Sequence, residues 1–148
     1  MKPLGTIFVA LLIAEATKAT AQDLQKELGV SRFKSAVEDC LVALKSPNDG
    51  LRRSAIYLLG QLEANEAVIL LMRVLRGNKD EKSRIAAAWA LCKIGDEAGT
   101  NAVKQVVRFD ESKKVQMHAA LYYNLYVSEG TFVFVPVADG SITIAEGR

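Results

Sequence analysis

The chain has 148 residues, of which 50% are apolar, 24% charged and 7% aromatic, and its formal net charge is +2. That length allows one domain with a real core, and near-neutral charge at this hydrophobicity excludes intrinsic disorder. Two cysteines exclude a disulfide framework, one histidine argues against a histidine-rich metal centre, and three prolines favour helix over many short strands.

The chain opens with a short positive start, Met1-Lys2-Pro3, followed by an uncharged run from Leu4 to Ala14. This run has the length of a signal-peptide core and falls well short of the roughly 20 apolar residues a spanning helix needs. Ala19-Thr20-Ala21 offers small residues for cleavage before Gln22, and Ala14-Glu15-Ala16 offers an alternative. Residues 1–21 are therefore expected to be a signal peptide, with the protein periplasmic or secreted and without a stable membrane span. If they are retained, the alternative is a cytoplasmic protein with a buried N-terminal helix. Export would place Cys40 and Cys92 in an oxidising compartment. Their separation onto different predicted helices points to buried free thiols.

From residue 22 to 127 the pattern is helical and periodic. Leu51-Arg52, Ser83-Arg84 and Val115-Gln116 recur at one constant interval. Each pair opens the same stripe: Ala55, Ile56, Leu58, Leu59, Gly60 and Leu62; then Ala87, Ala88, Ala90, Leu91, Cys92 and Ile94; then Ala119, Ala120, Tyr122, Tyr123, Asn124 and Tyr126. Such spacing lines one helix face, and the small residues admit a neighbouring helix. Leu70, Leu71, Val74 and Leu75, matched one interval later by Ala102, Val103, Val106 and Val107, predict a second helix in each of the first two units. Ala36 to Leu44 reads as a further second-type helix, preceded by a short polar partner from Asp23 to Leu28 that Gly29 ends. The connecting segments Ser46 to Gly50, Gly77 to Asp80 and Asp110 to Ser112 carry helix-capping side chains.

A hairpin of this size cannot bury its stripe alone, so a repeat of this length predicts a stacked solenoid. Ser83-Arg84 through Ile94 resembles the Val-Arg-x-x-Ala-Ala-x-Ala-Leu-Gly-x-Ile pattern of HEAT-repeat proteins, specifically the short repeats of phycobiliprotein-lyase-like sequences, with Cys92 in place of glycine. Leu51-Arg52 through Leu62 keeps the pattern; the third copy departs from it at Gln116, Tyr122 and Tyr123. The resemblance implies an all-α, HEAT-like solenoid of three to four helical hairpins. It also implies that Arg52 and Arg84 pair with Asp49 and Glu81 as a ladder between repeats. On function it is nearly silent, because the motif residues build the stack.

Little in the chain suggests catalysis. His118 is the only histidine, and no nucleophile elbow, metal-binding pair or phosphate-cradling loop occurs. The acidic pairs Asp80-Glu81, Asp96-Glu97 and Asp110-Glu111 sit where helices are expected to begin, where they favour the positive helix end. The expectation is a protein without enzymatic activity, metal or cofactor. Trp89, in a small-residue helix, is expected to pack between helices rather than stack on bases, and no nucleic-acid partner is expected.

The second helices carry the candidate site. In the stack they line the concave side, and their outward positions are Ile69, Met72, Arg73 and Arg76, then Asn101, Lys104, Gln105 and Arg108. This strip suits a protein or peptide partner, with arginine taking carboxylates and methionine adaptable apolar groups. The expected function is a protein-interaction scaffold. Alternatives are an accessory lyase or chaperone-like factor for a cofactor-bearing protein, or a structural subunit of an envelope complex.

Residues 128–148 change character. Thr131 to Val137 and Ser141 to Ile144 are β-branched and aromatic, and Asp139-Gly140 between them predicts a two-residue hairpin turn. That turn would set Val137 against Ile142 and Val135 against Ile144, with Pro136 on an unpaired edge. A lone hairpin is marginal in water. It is expected either to cap the solenoid against Tyr122, Tyr123 or Tyr126, or to pair with another chain and form a homo-oligomer.

Overall fold

The computed structural model describes residues 20–147. Among them are seven α-helices and a C-terminal two-stranded antiparallel sheet. The helices are α1 (Ala21–Leu28), α2 (Val30–Ala43), α3 (Asp49–Gln61), α4 (Val68–Gly77), α5 (Glu81–Ile94), α6 (Glu97–Phe109) and α7 (Lys113–Tyr126). A short 3₁₀ turn, Asn65–Ala67, leads into α4. The strands are β1 (Phe132–Pro136) and β2 (Ile142–Glu146). No helix among the described residues is long and apolar enough to cross a membrane. Apart from Thr20 and Ala21, which cap and open α1, the N-terminal segment read as a signal peptide lies outside the described residues.

The turns show why the interval is constant. Asn48, Asp80 and Ser112 are the N-caps of α3, α5 and α7, and each accepts from the backbone N–H three residues on, at Leu51, Ser83 and Val115. Two residues earlier, Ser46, Asn78 and Asp110 each accept from the N–H of the cap. Each of these three helices is thus launched by the same two-step turn, which satisfies amides that would otherwise be orphaned.

Helices α3, α5 and α7 stack as one layer, while α4 and α6 form a second that packs on the following first-type helix. The core between the layers holds Ile56, Leu59, Leu71, Leu75, Leu91, Val103 and Val115, all fully buried. Within the first layer the approach is close at Gly60. A Cβ there would meet the Trp89 ring at 2.5 Å and the Ala90 Cα at 3.0 Å. Trp89 lies over Gly60 and against Tyr57, with ring centroids 5.1 Å apart, so it packs between helices as expected. Leu58 departs from expectation. It is 48% exposed, because α1 does not stack on α3 as another first-type helix would.

The arginine ladder also differs from expectation at one rung. Arg52 pairs with Asp49 of its own helix, but Arg84 reaches Asp110 in the next turn rather than Glu81. Glu81 opens the same helix in solvent, whereas Arg84 projects beneath the following turn. There its Nε and an Nη each donate to Asp110 at 3.1 Å, and its other Nη donates to the Asn78 carbonyl at 2.8 Å. Gln116, its counterpart one repeat on, donates to the Asp110 carbonyl at 2.7 Å. Arg53 adds a rung to Asp80 at 2.6 Å. Asp110 therefore serves the preceding repeat as well as its own turn.

The hairpin register is one residue away from that expected. Val137 N–H donates to the Ser141 carbonyl, and Gly140 N–H to that of Val137, so the loop has three residues, Ala138-Asp139-Gly140. Gly140 takes the left-handed conformation (φ 82°), which lets a type I turn close through a bulge instead of a two-residue turn. Phe134 consequently faces Ile144, Val135 faces Thr143 and Pro136 faces Ile142. Phe132 packs on α7, edge-on to Tyr123 with centroids 5.4 Å apart. The hairpin follows α7 where earlier units place a second helix.

Candidate functional site

The sequence-predicted strip is divided by the fold. On α4, Ile69, Arg73 and Arg76 are exposed and Met72 is half-buried; the last turn of the helix carries Arg76. These four side chains, with Gly77, line one open cavity of about 480 Å³. Arg76 also lines a second, of about 210 Å³, with Ala102, Gln105, Val106 and Phe109 of α6 and Asp110 beyond it. A guanidinium thus stands between two largely apolar hollows. Among the described residues neither Arg73 nor Arg76 has a carboxylate partner.

On α6, Arg108 and Lys104 make contacts of their own. Arg108, in the last turn of α6, donates from Nε to Glu146 Oε1 of β2 at 2.5 Å. Its carboxylate within the described residues comes from 38 positions away, in the hairpin. That hydrogen bond, with further attraction from Arg108 and Lys104, holds the Glu146 carboxyl below the usual glutamate range. The same contact pushes the Arg108 guanidinium further up. Lys104 sits with Nζ 5.2 Å from the Tyr123 ring centroid, a cation–π geometry. Asn101 is exposed on α6.

Phe109 is the residue that the sequence reading missed. It is 76% exposed, the most exposed large apolar side chain among the described residues. Its counterpart one repeat earlier is Gly77, so periodicity gave no aromatic to match; its position beside Arg108 on the outward face was the available signal.

His118 Nδ1 bonds to the Lys114 carbonyl at 2.8 Å, with its ring beside Tyr122. Among the described residues no group of three or more histidine, cysteine or acidic side chains could hold a metal. Cys40 and Cys92 are buried and unbridged. Burial pushes the Cys92 thiol up to about 12, and burial, helped by Asp39, also raises Cys40.

Residues 51–77 and 83–108 match the family of PBS lyase HEAT-like repeats. The matched segments cover α3 with α4 and α5 with α6, and stop before α7, where the arginine of the motif becomes Gln116. No curated protein matches the chain. Stacked helix pairs at a constant interval and this match agree on the class: the fold is an α-solenoid, with HEAT-like repeats matched over residues 51–77 and 83–108.

Proposed function

We propose that the protein is a non-catalytic interaction scaffold that binds an acidic, partly apolar segment of a partner protein on its second-helix face. The observation that carries this reading is Arg76, exposed, lining two largely apolar cavities and without an ion-pair partner among the described residues. Arginine suits bidentate capture of a carboxylate, while Ile69, Met72 and Phe109 offer adaptable apolar contact. The reading includes export after removal of residues 1–21, and a neutral overall surface with no nucleic-acid role. The test is binding of acidic peptides by fluorescence anisotropy. Replacing Arg73 and Arg76 together by Glu should weaken binding at least about tenfold while leaving helicity unchanged. Undiminished binding would sink the assignment.

A second reading rests on the description of the matched repeats: an accessory lyase or chaperone-like factor for a cofactor-bearing protein. It requires an absorbance change when the protein is mixed with a tetrapyrrole, and the scaffold reading expects none. The exposed Val133, Val135 and Val137 of the hairpin support a third, self-association or a place in an envelope complex, which sizing chromatography as a sharp monomer would count against.

A further inference from the structure

Arg76 and Arg108 occupy the same position of successive second-type helices, one repeat apart and each in the last turn. At Arg108 the chain supplies its own ligand. Glu146 comes from an extended strand, and Ile144, two residues earlier on the same face of that strand, is half-buried against the hydrophobic core. Both line the cavity that Arg108 shares with Val107 and Phe132. The recognised element is thus an aliphatic residue and a carboxylate spaced by one residue along a strand, roughly 7 Å apart on one face.

At Arg76 the next repeat contributes α6 instead of a strand; α6 brings Gln105 and Phe109, and the acid at that cavity, Asp110, is already bound on both oxygens by Arg84. Arg76 is thus left without an ion pair among the described residues, and the apolar hollow lined by Ile69 and Met72 is one that it lines as well.

Resting on the scaffold reading above, we propose that the partner segment docks at Arg76 as an extended strand, with an acidic side chain on the guanidinium and an aliphatic side chain two residues earlier in the Ile69–Met72 cavity. The chain's own C-terminal strand is the template for this motif. Arg76 is exposed and has no ion-pair partner among the described residues, so altering it should leave the fold intact.

The probe is the seven-residue peptide with the sequence of Ser141–Gly147, acetylated and amidated so that no terminal carboxylate substitutes for the side chain. It is titrated into the full chain and followed by amide NMR shifts. The expected result is shifts centred on Ile69, Met72 and Arg76, with affinity falling at least about fivefold for Arg76→Gln in the protein. Similar losses are expected for Glu146→Gln or Ile144→Gly in the peptide. Shifts confined to the hairpin and Arg108 would mean that the probe only displaces its own counterpart, and would overturn the proposal. Equal binding of the Ile144→Gly peptide, or binding of an oligoglutamate heptapeptide but not this probe, would overturn the motif and leave acid capture standing. Binding of neither probe would remove both readings.

Discussion

Asn124 holds Phe132 by both polar groups of its backbone: Nδ2 donates to the Phe132 carbonyl at 2.7 Å, and Oδ1 accepts from the Phe132 N–H at 3.0 Å. Asn124 stands in register with Gly60, which faces the next first-type helix at Trp89 and Ala90. At the end of the stack, where no further helix follows, an amide side chain pairs with a strand edge instead. Asn124→Ala would leave two partly buried backbone groups without partners, at about 1–3 kcal/mol. Urea denaturation should show that loss, and the Phe132 amide should exchange faster while those of α5 remain protected.

Gly60 and Gly77 make opposite predictions for the same substitution. Gly60→Ala drives a methyl into the Trp89 ring and the α5 backbone, so destabilisation of about 1–3 kcal/mol is expected. Gly77, at the end of α4, has open space where its Cβ would lie, so Gly77→Ala should be neutral or stabilise by about 0.5–1 kcal/mol. Parallel thermal melts check both.

The Arg84–Asp110 pair is buried on both sides, with 6% and 8% side-chain exposure. Arg84→Met leaves Asp110 charged beneath the turn, and about 3–5 kcal/mol should be lost. Arg52→Met at the equivalent position should cost less than about 1 kcal/mol, because its partner Asp49 is half-exposed and its buried Nε finds no acceptor. Chemical denaturation of the two variants side by side separates a buried rung from a superficial one.

Glu146 gives the hairpin a pH response. Its carboxyl is held low by Arg108, so the contact contributes fully above the usual glutamate pKa and is lost as pH falls through the lowered value. Acid should therefore shift the Arg108 Nε–H and Thr143 to Glu146 amide signals before the helices melt. Arg108→Gln should abolish that early step. Because both side chains are about half-exposed, the global melting temperature should barely follow it.

Both thiols should resist alkylation in the folded protein near neutral pH. Burial keeps Cys92 protonated far above that range and raises Cys40 as well. Iodoacetamide labelling followed by mass spectrometry should modify neither quickly in buffer and both in urea.

Much of the candidate site was legible because it repeats. The outward positions of α4 and α6 follow from a helical period laid on a constant interval between units, and the structure brings Ile69, Met72, Arg73 and Arg76 to one cavity. What the pattern could not carry was contact between unlike segments. Gln105 and Phe109 join Arg76 only because α6 packs beside α4, and Arg108 meets Glu146 only because a strand folds back upon it.

The sequence by itself determined the helical repeats, their caps and the change to strand after α7, because periodicity, capping and turn chemistry act over a few residues. The hairpin register was decided by the left-handed Gly140 and the three-residue loop it closes, a choice between turns that Asp139-Gly140 alone does not make. The Arg84–Asp110 rung, the Asn124 clasp and the Glu146 contact were decided by tertiary structure alone. Each joins residues distant in the chain or on different elements, and their pairing depends on which charged or polar groups the stacked layers bring within hydrogen-bonding reach.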